Sequence, residues 1–164
     1  MKISNLPKPP TDKDLHYLRL AVEIATQSKC LKAQYGAVIV DRNGRIVATG
    51  FNGKPSGAIN DGVCYRLKVS TADCDKSACC IHAETNALLY CDRIGAECST
   101  LYVTGFPCRM CALNMTQAGI VRLVYLDLGE AFCAAHGYSD EAFWESYGCG
   151  IERVPVAPQL LGER

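Results

Sequence analysis

Two short motifs in the second half of the chain constrain its fold more than any other feature. The first is HAE at positions 82–84, which opens the segment IHAETNALLYC, and the second is PCRMC at positions 107–111. The residues between them allow one helix followed by one strand. A fold that brings both motifs to a single metal ion must therefore begin a helix at each of them.

The residue types in the motifs fit a catalytic zinc site. Cys108 and Cys111 are three residues apart, so both thiols reach one ion from the first turn of a helix. Pro107 suits a helix start, and the positive end of the helix dipole favours thiolates. His82 is the natural third ligand, because it alone of the three histidines begins a helix that leads into the strand before the cysteines.

Glu84 supplies the acid–base group that such a site needs. Two thiolates cancel the charge of a zinc ion, so the ion acidifies water less than it does among three histidines. Glu84, two residues after His82, can carry a proton from water to a leaving nitrogen. The alternatives are a structural zinc knuckle or no metal. The combination of H-x-E with P-C-x-x-C favours the catalytic site, because zinc deaminases carry that signature.

Composition restricts the class of protein. A chain of 164 residues with 49% hydrophobic residues can bury one core, so we expect a single domain over residues 1–164. Lys and Arg total 17 and Asp and Glu total 17, which argues against nucleic acid or anionic membrane as a partner. Eleven cysteines and a start without an apolar signal core indicate the cytoplasm, and no apolar run is long enough to span a membrane.

Periodicity and turn signals predict an α/β fold. Residues 1–11 are an extended lead-in, and the irregular stretch 52–81 is a loop insertion that a metal could brace. Alternation of strands and helices predicts helices packed on a sheet whose later strands are parallel. The first predicted helix is capped by Thr11 or Asp12 and runs to about residue 28, and the other predicted helices are 82–91, 108–118 and 141–147. The predicted strands are 37–40, 46–50, 100–105, 121–128 and 151–154, the first two joined as a hairpin by Asn43-Gly44.

Several segments together resemble the cytidine deaminase superfamily, and most closely its zinc-dependent dCMP deaminases. They are SKC at 28–30, GAVIVD, GFNGKPSG, HAETNALL, LYVTGFPCRMCA and AGIVRLVY. The resemblance implies a three-layer α/β/α fold with a mixed sheet of about five strands and helices on both faces. It also implies hydrolysis of dCMP to dUMP and ammonia. The alternatives are another cytosine substrate (dCTP, a nucleoside or tRNA) and a catalytically inert zinc-binding scaffold or regulatory subunit.

The resemblance also implies a set of substrate contacts. Asn52, in the GFNGKPSG segment, would contact the sugar or base of the nucleotide. Donors to the phosphate would come from Lys54, Arg66 or Arg109, although residues of these types are more often solvated surface charges. The remaining substrate-binding candidates are Ala83, Phe106 and Tyr125, of which the two aromatic residues would stack on or wall the base.

Further cysteines resemble a second, structural zinc site found in many members of the family. Cys30 matches one ligand, but Asp61 stands where another cysteine is expected. The thiols that could replace it are Cys64, Cys74, Cys79 and Cys80, and the alternative is free buried thiols. The resemblance also implies a homo-oligomer, often a hexamer, activated by dCTP with Mg²⁺ and inhibited by dTTP.

Overall fold

The computed structural model describes residues 8–59, 62, 64, 80–129, 141–147 and 150–162. Within these ranges, no helix is long and apolar enough to cross a membrane. The regular elements are, in chain order, helix α1 (Asp12–Ala25), strands β1 (Gly36–Val40) and β2 (Ile46–Phe51), helices α2 (Ala83–Leu89) and α3 (Arg93–Ala96), strand β3 (Thr100–Val103), helix α4 (Arg109–Ala118), strand β4 (Arg122–Leu126), helix α5 (Glu141–Tyr147), strand β5 (Glu152–Val156) and a 3-10 turn (Pro158–Leu161).

The five strands form one mixed sheet in the order β2-β1-β3-β4-β5. Strand β1 pairs antiparallel with β2 and with β3, whereas β3 with β4 and β4 with β5 are parallel. The turn of the β1–β2 hairpin contains Gly44 at φ +80°, a conformation that glycine adopts without strain. The predicted hairpin and the parallel later strands are therefore confirmed.

Helices cover both faces of the sheet. On one face α1 packs Tyr17, Leu18 and Ala21 against the strands. On the other face α2, α4 and α5 form a second apolar cluster with the strands, to which they contribute Ala83, Ala87, Ala112, Met115 and Trp144. The predicted α/β/α layering with helices on both faces is confirmed.

Two glycines let the helices approach the sheet at backbone distance. A Cβ atom on Gly36 of β1 would lie 2.0 Å from the Ala21 carbonyl oxygen of α1. A Cβ atom on Gly50 of β2 would lie 2.4 Å from both the Ala83 carbonyl oxygen and the Ala87 nitrogen of α2. Packed atoms do not approach so closely, so these positions accept only glycine without moving a helix.

A buried carboxylate, Asp14, joins α1 to the sheet. Its side chain is 3% exposed and accepts two hydrogen bonds from the Arg122 guanidinium of β4, at 2.6 and 3.0 Å. It also accepts hydrogen bonds from the Tyr102 hydroxyl of β3 and from the amide and hydroxyl of Thr11, the N-cap of α1. Arg122 contacts Glu152 of β5 at 3.1 Å. One carboxylate thus connects α1 directly to β3 and β4, and Arg122 extends the connection to β5.

Several element boundaries differ from the sequence prediction; strands β3 and β4, for example, each end two residues earlier, at Val103 and Leu126. Helix α1 ends at Ala25 because the Thr26 hydroxyl donates to the Glu23 carbonyl at 2.7 Å and closes the last turn. Helix α2 stops at Leu89, and the short helix α3, which was not predicted, begins where Asp92 accepts the Gly95 amide. Strand β5 continues through Pro155, which is tolerated because β5 lies at the edge of the sheet.

Candidate active site

The two motifs begin α2 and α4, and their side chains meet. His82 is the N-cap of α2 and Cys108 the N-cap of α4; both have extended backbone, and neither side chain caps its own helix. Cys111 follows in the first turn of α4. An antiparallel bridge between Gly53 and Ile81, with N–H···O distances of 3.1 and 2.8 Å, places the end of β2 beside the start of α2.

The spacing of the three donor atoms fits a zinc ion. His82 Nδ1 lies 3.4 Å from Cys108 Sγ and 3.5 Å from Cys111 Sγ, and all three atoms are within 4.8 Å of one another. Tetrahedral zinc with bonds of about 2.3 Å to sulfur and about 2.0–2.1 Å to nitrogen separates such ligands by about 3.5 Å. The site therefore has the size of a zinc centre, and no other such group occurs in the described part of the chain.

The surroundings of the two thiols shift their pKa values in opposite directions. Hydrogen bonds from Cys111 and from the His82 imidazole lower the pKa of Cys108. Burial acts in the opposite direction but is the smaller effect. The hydrogen bond between the two thiols, together with burial and the negative charges of Glu84 and Cys108, raises the pKa of Cys111. The lowered pKa of Cys108 favours its thiolate form, which is the form that binds a metal ion.

Glu84 lies in the first turn of α2 and is only 5% exposed. Burial raises the pKa of Glu84 to about 7, with the Cys108 thiolate contributing to the increase. The Glu84 backbone amide, the charge of His82 and a hydrogen bond with Cys111 act in the opposite direction. A carboxyl group with a pKa near neutrality both accepts and releases protons readily, which is what general acid–base catalysis needs.

An aromatic cluster packs against the segment that carries the cysteines. The Phe106 ring lies edge-to-face with Tyr125 at 4.8 Å and with Trp144 of α5 at 5.7 Å between centroids. The Arg109 guanidinium lies 5.5 Å from the centroid of the Phe143 ring. Phe143 and Trp144 were not predicted from the sequence, although aromatic residues at positions 143, 144 and 147 of the predicted last helix were a usable signal.

Asn52 is buried and braces the chain before β1. Its Oδ1 accepts the Tyr35 amide at 2.7 Å, and its Nδ2 donates to the Ala33 carbonyl at 2.9 Å. The Ser28 hydroxyl donates to the Asn52 carbonyl at 2.7 Å. The side chain thus has a structural role whether or not it also contacts a substrate.

Of the other predicted substrate contacts, Ala83 begins α2 and Lys54 lies in the loop after β2. Ala83 is fully buried in the core, and Lys54 donates to the Ile59 carbonyl at 3.0 Å within the loop after β2. Arg66 lies outside the described residues.

The cysteines predicted for a second metal are only partly within the described ranges. Partial burial raises the pKa of Cys30, but hydrogen bonds from the Ala33 and Lys32 amides and from Cys80 and Asn52 outweigh it, so the pKa is lowered. Cys64 is half-buried. Among described residues no third protein donor joins Cys30 and Cys80 in a metal-sized group. The other two candidates, Cys74 and Cys79, lie outside the described residues.

Comparison with known proteins identifies the family. The family model for the cytidine and deoxycytidylate deaminase zinc-binding region matches residues 11–127, a range that contains both motifs. The chain therefore belongs to the cytidine and deoxycytidylate deaminase family and carries its zinc-binding region.

Relatives within that family carry a more particular name. The chain is 40% identical over 121 residues to the deoxycytidylate deaminase of Mycobacterium phage D29, an alignment that covers 70% of this chain and 94% of the phage protein. It is 40% identical over 119 residues to the deoxycytidylate deaminase of Schizosaccharomyces pombe, covering 68% of this chain but 36% of the yeast protein. The crystal structure of dCMP deaminase from the cyanophage S-TIM5 in complex with dCMP and dUMP has the same fold, with a TM-score of 0.64 at 24% identity, over 91% of this chain and all of that one.

Proposed function

We propose that this chain catalyses the hydrolytic deamination of dCMP to dUMP and ammonia. One observation carries the proposal: the buried Glu84 begins the same helix as His82, whose imidazole meets the thiols of Cys108 and Cys111. A structural metal site has no use for a buried acid beside it. The name of the phage relative, which the alignment covers almost completely, supports dCMP as the substrate.

In this proposal His82, Cys108 and Cys111 hold a zinc ion, which when bound acts as a Lewis acid that acidifies water. Glu84 accepts a proton from the water and delivers it to N3 of the cytosine ring, while the water oxygen adds to C4. Glu84 then carries the second water proton to the C4 amine. The C4–N bond breaks, ammonia leaves, and the N3 proton stays on the uracil product.

The proposed nucleotide site surrounds these residues. Phe106 and Tyr125 wall the base, and Arg109 and Lys54 supply donors to the phosphate. Ala83, the first residue of α2, is also proposed to contact the substrate. In the proposed role of Asn52, the Oδ1 lone pair that Tyr35 does not use accepts a hydroxyl of the sugar.

The test is one ammonia-release assay with dCMP, deoxycytidine, dCTP and an RNA hairpin, run on the wild type and on Glu84→Ala. We expect turnover of dCMP above the other compounds, and none by the variant, which should keep its zinc. Preference for another cytosine compound would change the assigned substrate but not the proposed reaction. A zinc-loaded protein that is inert on all four would support the scaffold role instead.

We also propose that residues 1–164 act as a single domain in the cytoplasm and form a homo-oligomer such as a hexamer. Large apolar side chains exposed on α2, α3 and α4, namely Leu89, Ile94 and Met110, support association. Regulation by dCTP with Mg²⁺ and by dTTP is proposed from the GFNGKPSG segment. Light scattering measures the oligomer, and substrate saturation curves that neither triphosphate alters would reject the regulation.

A second zinc held by Cys30, Cys80 and further thiolates of the 52–81 stretch is proposed from the hydrogen bond between Cys80 and Cys30 and from the lowered pKa of Cys30. Metal analysis of the purified protein tests it. Two zinc ions per chain, reduced to one by Cys30→Ser, would support the site. One zinc ion per chain in the wild type would reject it.

A further inference from the structure

A pair of polar residues lies one helical turn behind the proposed zinc ligands. Thr85 follows His82 by three residues on α2, and Asn114 follows Cys111 by three residues on α4, so each lies on the same helix face as its ligand. The Thr85 hydroxyl oxygen is 3.5 Å from Cys111 Sγ. Asn114 Nδ2 donates to the same hydroxyl oxygen at 3.3 Å. The three side chains form a continuous hydrogen-bonded row that ends at a ligand sulfur.

The chemistry of the groups gives this row one direction once a metal is bound. The amide nitrogen of Asn114 can only donate, so the Thr85 oxygen accepts from it. A metal-bound thiolate has no proton and can only accept. The single O–H of Thr85 is therefore directed at Cys111 Sγ, and Asn114 holds it in that orientation.

We propose that Thr85, oriented by Asn114, is a positioning residue that donates a hydrogen bond to the Cys111 thiolate. The inference rests on the proposed function, because it concerns the zinc ligands of that site. A hydrogen bond withdraws charge from the sulfur and fixes its direction, so Cys111 neutralises the ion less completely. The bound ion then keeps part of the acidity that two unmodified thiolates would remove.

The test replaces zinc with Co²⁺, whose sulfur-to-metal charge-transfer band reports the electron richness of the thiolates. Thr85→Val keeps the shape and removes the hydroxyl, Thr85→Ser keeps the hydroxyl, and Asn114→Ala removes only its orienting donor. Thr116→Val on α4 is the matched control, because its hydroxyl donates to the Tyr147 carbonyl. We expect the band to move to lower energy in Thr85→Val, less so in Asn114→Ala, and not in Thr85→Ser or Thr116→Val.

Turnover gives a second readout. Removing a group that hydrogen-bonds to a metal ligand typically lowers metal affinity or activity about 10–100-fold. We therefore expect kcat of Thr85→Val to fall about tenfold with KM unchanged, and kcat of Thr85→Ser to stay near the wild-type value. A folded Thr85→Val with the wild-type band overturns the inference. If Thr85→Val does not fold, an unmoved band in Asn114→Ala overturns it. A shifted band in a protein that deaminates nothing supports the inference and rejects the proposed function, whereas a wild type that binds no cobalt rejects both.

Discussion

Replacement of Asp14 by Asn tests whether one carboxylate holds α1 on the sheet. Asp14 accepts hydrogen bonds from Thr11, Tyr102 and Arg122 while almost fully buried. Burial alone raises the pKa of Asp14, but the hydrogen bonds from Arg122 and Thr11 outweigh it and lower the pKa from 3.8 to about 2. Ionised Asp14 is therefore more stable in the folded state than in the unfolded chain.

The magnitude follows from that difference in pKa. Each pKa unit corresponds to about 1.4 kcal/mol, so the difference of almost two units means that the carboxylate contributes about 2 kcal/mol to the free energy of unfolding at neutral pH. Because the folded pKa is the lower one, this contribution is complete above about pH 4 and is lost as the pH falls through the folded pKa near 2. Asp14→Asn also leaves the partly buried Arg122 with Glu152 as its remaining carboxylate partner. We therefore expect the substitution to lower the free energy of unfolding by about 2–4 kcal/mol in total.

Urea unfolding of the wild type and Asp14→Asn, measured at intervals from pH 7 to pH 2, checks the prediction. The difference in unfolding free energy should be constant down to about pH 4 and shrink below it. Asp12→Asn on the same turn of α1 is the control. Asp12 is exposed, so we expect its substitution to lower the free energy of unfolding by only about 0.3–1 kcal/mol, through loss of its interaction with the helix dipole. A difference at pH 7 no larger than that of the control would refute the role assigned to Asp14.

Three further predictions concern the site and its surroundings. Glu84→Gln should lower kcat at least about 10²–10⁴-fold while metal analysis still finds zinc, and retained turnover would remove Glu84 from the proton transfers. Cys108→Ser should weaken zinc binding in a chelator competition assay, and a zinc affinity equal to that of the wild type would exclude Cys108 as a ligand. EDTA treatment of the wild type should abolish activity, and added zinc should restore it. Trp144→Ala should cost about 3–5 kcal/mol in urea unfolding because it empties the space beside Phe106, and a cost below 1 kcal/mol would show that α5 contributes little to the core.

Local signals account for the parts of the fold that could be predicted. The hairpin depends on a turn sequence, Asn43-Gly44, and on β-branched residues beside it. The proximity of His82, Cys108 and Cys111 was predictable because metal ligands restrict residue types and spacing together. Helix α3 was missed because it is four residues long, too short for periodicity to reveal.

Contacts between distant parts of the chain account for what could not be predicted. Asp14 and Arg122 are 108 residues apart, and no local pattern indicates that they pair. The inward orientation of Asn52 depends on the backbone of residues 33–35, whose path no sequence signal specifies. Thr85 and Asn114 each look like ordinary polar residues of an exposed helix face until α2 and α4 are placed side by side.

The contact at Gly50 has a consequence for how substrate preference could change in this fold. Since α2 touches β2 through backbone atoms, the distance from the sheet to His82 and Glu84 does not depend on the size of any side chain at that contact. Substitutions in the loop after β2 therefore leave this distance unchanged. A directed-evolution library aimed at new nucleotides should keep Gly36 and Gly50 constant and place its diversity at residues 54–59 and around Phe106.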